Sequence, residues 1–160
     1  MALWQTNMTL VPSALLLQRG VRLGATITDD DLELETWDKS CPPESVIERL
    51  AERLPKGKSW SENLAVWGDL DGSCVTILRE GGVCVEVNAR FDLRTVSREV
   101  AAAVLDFARE LGCWFVTEDR RVIAAEFSDL SAAIRTSKAY KFLENPNAFL
   151  DELGRSQSPQ

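Results

Sequence analysis

The chain has 160 residues, 25 acidic and 18 basic, with no histidine and a net charge of −7. Its 45 % hydrophobic and 27 % charged content excludes a wholly disordered, collagen-like or coiled-coil chain, and its length suits one domain that folds without a disulfide or metal. The missing histidine removes Ser-His and Cys-His catalysis, histidine general bases and histidine-ligated zinc.

Residues 1–24 read as an irregular lead-in with a short extended piece at 8–11. Pro12 and Ser13 precede the run Ala14-Leu15-Leu16-Leu17, which fits one helical turn or a strand equally well. Residues 25–31 lack periodicity and are expected to be a loop. Leu32, Leu34 and Thr36 alternate with Glu33, Glu35 and Trp37, which predicts a short extended segment at an edge. Pro42 and Pro43 followed by Glu44 open a helix, because proline is tolerated in the first turn and an acid suits the positive end of the dipole. Val46, Ile47, Leu50, Ala51 and Leu54 continue it at helical spacing until Pro55 and Gly57.

Residues 63–68 carry the apolar run Leu64-Ala65-Val66-Trp67, and Asp69-Leu70-Asp71-Gly72 is turn chemistry. Gly81-Gly82 between two apolar runs signals a tight hairpin over 73–91, placed at the centre of the sheet. A hairpin closed on those glycines sets Cys74, Thr76 and Leu78 opposite Ala89, Val87 and Val85 on the apolar face, and Cys84 opposite Arg79 on the mixed face. Thr95 is the expected cap of a helix over 96–111, with Val96, Val100, Val104, Phe107 and Leu111 in one stripe and Gly112 ending it. Residues 113–117 read as a buried strand and turn through Glu118-Asp119-Arg120 into 121–125. Ser128 then caps a helix from Asp129 to about Tyr140, and Asn145-Pro146-Asn147 starts a last short one. The fold class is therefore α+β: a single domain with an antiparallel sheet and helices packed on one face. Residues 1–40 are expected as an extended, acidic segment on a 41–153 core, and 154–160 as a disordered tail.

Charge is uneven along the chain. Residues 29–53 hold nine acids and three bases, a net −6 that leaves only −1 for the rest. No basic face is evident for nucleic acid or an anionic membrane, and no apolar run is long enough to span one, so neither is an expected partner. The natural complement is a protein with a basic surface, and the candidate contact residues are Asp29, Asp30, Asp31, Glu33, Glu35, Trp37 and Asp38. A homodimer is also compatible with the sequence.

The four cysteines, Cys41, Cys74, Cys84 and Cys113, form no metal-ligand pair, and without a signal peptide they read as reduced thiols in a cytoplasmic protein. Cys41, just before a helix start, is the one thiol placed for a lowered pKa. The Asp29-Asp30-Asp31 run and the Asp69–Gly72 turn lack the spacing of a calcium loop, so no metal or cofactor is expected. Glu86 and Glu126 lie near apolar residues, but nothing pairs them as acid and base. The expectation is a protein without catalysis. Trp67 and Trp114 sit in apolar strands and belong to the core. Trp37 and Trp60, flanked by polar residues, are each either a lid on the core or an interface anchor.

Four stretches together resemble a known group: Lys58-Ser59-Trp60-Ser61, Trp67-Gly68-Asp69-Leu70-Asp71-Gly72, Arg90-Phe91-Asp92-Leu93-Arg94 and Phe142-Leu143-Glu144-Asn145-Pro146-Asn147-Ala148-Phe149-Leu150. Over roughly residues 40–150 the chain is similar to small acidic bacterial immunity proteins, which neutralise secreted antibacterial toxins. The resemblance implies a cognate toxin as partner, a nuclease with a basic cleft being one such toxin, and no catalytic residues. The alternative is an adaptor, chaperone or small-ligand module of a secretion system.

Overall fold

A computed structural model describes residues 2–33, 37 and 42–157. Six strands form one antiparallel sheet: β1 (Gln5–Pro12), β2 (Leu64–Gly68), β3 (Cys74–Glu80), β4 (Val83–Asp92), β5 (Cys113–Val116) and β6 (Val122–Ile123), in the order β2-β3-β4-β1-β5-β6. The helices are α1 (Ser13–Gln18), α2 (Asp29–Glu33), α3 (Glu44–Arg53), α4 (Arg98–Glu110), α5 (Phe127–Arg135), α6 (Lys138–Glu144) and α7 (Pro146–Gln157). The α+β class with an antiparallel sheet holds.

The first strand is the largest departure from the expected organisation. Residues 5–12 pair with β4 on one side and β5 on the other, so they bind the two hairpins into one sheet. Met8 and Leu10 point to the main core, whereas Val11 points to the opposite face. The main core lies between that first face and α3, α4 and α5, which contribute Val46, Leu50, Val104, Phe107, Leu130 and Ala133. A smaller cluster on the second face joins Val11, Val116 and Val122 to Leu16 of α1 and Ile27 of the following loop. Helices therefore cover one face, and α1 with its loop covers part of the other.

The Gly81-Gly82 hairpin forms with both glycines at positive φ, the backbone that a two-residue turn of this kind demands. Arg79 pairs with Cys84, as the tight turn dictates, but Leu78 pairs with Glu86. Val85 is thus an extra residue, a β-bulge that reverses the alternation beyond it. Val75 and Ile77 join Val87 and Ala89 in the core, Cys84 turns inward, and Val85 is 39 % exposed. The expected inward set of β3 is corrected by that single residue, because side-chain direction has a period of two.

Helix boundaries moved for local reasons. Ser97, not Thr95, caps α4: its Oγ accepts the Val100 N–H at 3.2 Å. Gly112 closes that helix at φ 65°. The single helix expected over 129–140 is two. The Ser137 hydroxyl donates to the Ile134 carbonyl at 2.6 Å, and its oxygen accepts the Tyr140 N–H at 3.2 Å, so it ends one helix and starts the next. Asp29–Glu33 is helical where a loop and an extended segment were expected, and α7 runs on to Gln157, into the expected tail.

Candidate partner-binding surface

α2 is too short to stand alone and is held at both ends of its first turn. Asp31 reaches back to Thr28, accepting its backbone N–H at 2.9 Å and its hydroxyl at 3.0 Å. These hydrogen bonds, the backbone one first, favour the ionised carboxylate and lower its pKa. Asp29 pairs with Arg120 Nε at 2.7 Å. Arg120 occupies the β5–β6 turn at φ 65°, a conformation disfavoured for a residue with a Cβ. Its carbonyl accepts the Ile27 N–H at 2.9 Å, and Thr26 bridges to Arg121. The turn thus grips the segment that leads into α2 through both backbone and side chain. Asp29 and Asp30 remain exposed, and Asp30 makes no ion pair or hydrogen bond with any described residue.

The seven candidate residues are therefore not one patch. Asp29, Asp30 and Asp31 share α2 with Glu33. Glu35 and Asp38 lie outside the described residues. Trp37 is 3 % exposed and belongs to the main core cluster. It is a lid, not a surface anchor, and leaves the candidate contact set. Trp60 takes the other course at 77 % exposure. Trp67 is buried and Trp114 half-buried, at the edge of the smaller cluster.

The remaining carboxylates of interest have structural partners. Asp69 Oδ1 accepts the Asp71 N–H at 2.9 Å, which closes the β2–β3 turn on itself. That turn is tied to the strand ends: Arg90 donates to the Leu70 carbonyl at 2.9 Å and Gln5 Nε2 to the Asp71 carbonyl at 2.8 Å. Asp92 is buried, and its two oxygens accept Arg94 Nε at 3.1 Å and Nη2 at 2.8 Å. The Arg94 side chain, then its backbone N–H, hold the Asp92 carboxyl below its ordinary pKa. The same guanidinium lies over the Trp4 ring at 4.1 Å. Glu86 accepts from Asn88 Nδ2 at 2.6 Å and Glu126 pairs with Arg109 at 3.1 Å.

Cys74, Cys84 and Cys113 are buried thiols. Burial raises Cys74 and pushes Cys113 up to about 12, with Cys84 adding to the latter, so neither is primed as a nucleophile. Cys41 lies outside the described residues. Among the described residues, no group of His, Cys, Asp or Glu could hold a metal ion, and no helix is long and apolar enough to cross a membrane.

Among the described residues, three grooves on the helical side differ in their charges. The one between α3 and α4, about 290 Å³, is lined by Arg49, Arg53 and Arg109 against Glu52, Asp106 and Glu110. Arg49 pairs with Glu110 at 2.5 Å, and Asp106 receives Arg53 and, at 3.3 Å, Arg109. A second groove, about 260 Å³, sets Lys138 and Lys141 against Glu118 and Asp119. The third, about 280 Å³ and mostly apolar, runs between α4, α5 and α6, and its only charged walls are Arg98 and Arg135. Sequence reasoning missed this one, because its walls come from two helices read as one and from residues on either side of an unexpected break. No family model, curated protein or solved structure matches the chain.

Proposed function

We propose that the chain is a non-catalytic binding protein that occludes a cognate toxin, as an immunity protein does, using the acidic surface of α2. One arrangement carries this reading: Asp29 and Asp30 are exposed on a helix pinned by Arg120 and by the Asp31–Thr28 bonds. A fixed support displays negative charge at little ordering cost on binding, and opposite potentials speed encounter with a basic surface. The test is co-production with the product of the adjacent gene. The reading expects that product to arrest growth alone, to be neutralised by this chain, and to co-purify with it at a fixed stoichiometry. A neighbour that is harmless, or toxic but neither bound nor neutralised, rejects it.

A second reading, an adaptor with two docking faces, is favoured by the α4–α5–α6 groove, whose charge is opposite to that of α2. In that case the neighbour belongs to a secretion apparatus and binding leaves growth unchanged.

A further inference from the structure

The groove between α4, α5 and α6 has walls of Val96, Ala101, Leu130 and Ile134, with Phe127 and Tyr140 on its rim. Phe127 is 45 % exposed and Tyr140 37 %. An aromatic rim over an aliphatic floor is the composition of a protein-docking site, where large rigid side chains contribute area at low entropy cost. What sets this groove apart is its charge. In a chain of net −7, it is lined by two arginines and no acid.

Those arginines also lack the partners that others have. Arg49, Arg53, Arg94, Arg109 and Arg120 are each bound to a carboxylate. Arg98 and Arg135 pair with no carboxylate among the described residues; Arg98 lies instead over the Phe127 ring, 5.2 Å from its centroid. That stacking holds the guanidinium beside the apolar rim with its donors open.

We propose that this groove docks an acidic amphipathic segment of a second protein, with apolar side chains on the Leu130–Ile134 floor and carboxylates on Arg98 and Arg135. A second copy of this chain is a poor occupant by the same surface. A two-fold contact would bring four arginines together with no acid between them, and like charges at an interface are repulsive. The inference stands apart from the toxin reading, since it concerns another face and a partner of opposite charge.

The probe is an end-capped helical peptide with leucine on one face and glutamate on its flanks, beside a twin carrying lysine for every glutamate. Fluorescence anisotropy measures both against the full chain. Non-specific attraction to a protein of net −7 favours the lysine twin, so a preference for the glutamate peptide is diagnostic. The proposal expects that preference to be about tenfold or more, to invert in the Arg98→Glu/Arg135→Glu double variant, and to fall at high salt. Phe127→Ala weakens binding of the glutamate peptide about tenfold. All three positions are exposed, so an unchanged thermal midpoint shows that the fold persists. Equal affinity for the twins, no binding of the glutamate peptide, or a preference the double variant leaves intact overturns the proposal. So does a concentration-dependent dimer in sedimentation that Phe127→Ala dissociates.

Discussion

Asp92 ends the central strand β4 with its carboxylate buried and clasped by Arg94. Because its pKa is lowered in the folded chain, the stabilisation it gives is complete above the unfolded value and is lost as pH falls through the folded one. Asp92→Asn keeps the size of the group and removes that titration. It should cost about 2 kcal/mol near neutral pH, the scale of hydrogen bonds to a charged group. In urea unfolding followed from pH 7 downward, the gap between wild type and variant narrows on the acid side. Trp37 and Trp60 make a second pair of expectations. Trp37→Ala empties a core site and should cost about 3–5 kcal/mol. Trp60→Ala, on an exposed loop, should stay within about 0.5 kcal/mol. Denaturation midpoints of the two variants check both assignments. Flanking charges did not distinguish these tryptophans in the sequence, since burial depends on where the chain leads and not on immediate neighbours.

Among the elements, long periodic ones were legible and short ones were not. α3 and α4 each present an apolar stripe that only a helix aligns, and the glycine pair forces the β3–β4 turn. β1 was hidden because half its side chains are polar. Asn7 and Thr9 face the second side of the sheet, which α1 and its loop cover only in part, and there Thr9 donates to Asn88 at 3.0 Å and Arg90 to Asn7 at 3.3 Å. Gln5 and Thr6 are buried but polar, so hydrophobicity gives no sign of them. The bulge at Val85 was hidden for another reason: either register buries mostly apolar residues near the turn, so the hydrophobic pattern does not choose between them. The helix caps offer a direct check. Ser97→Ala removes the acceptor for Val100 N–H and should cost about 1 kcal/mol. Thr95→Ala should cost less than half as much, and thermal unfolding of both variants reads the difference.

At the scale of the whole molecule, the acidic character was plain from composition, but its division of labour was not. Of three adjacent aspartates, one is an ion-pair partner and one anchors Thr28. Asp30 alone among them projects charge without a contact to lose. Among the described residues the candidate surface thus reduces to α2, since Trp37 is buried, and Asp30 is the residue whose reversal tests electrostatic recognition without disturbing the fold. The third groove, basic and apolar, lies on the helical side and answers to separate chemistry. The most direct measurement is the stopped-flow association rate with the purified product of the adjacent gene, for wild type and Asp30→Lys, at low and at high salt. Recognition by the acidic face predicts that the reversal slows association by about threefold or more at low salt, and that the difference shrinks as salt screens it. An association rate unchanged by the reversal at low salt, or no association at all, contradicts it.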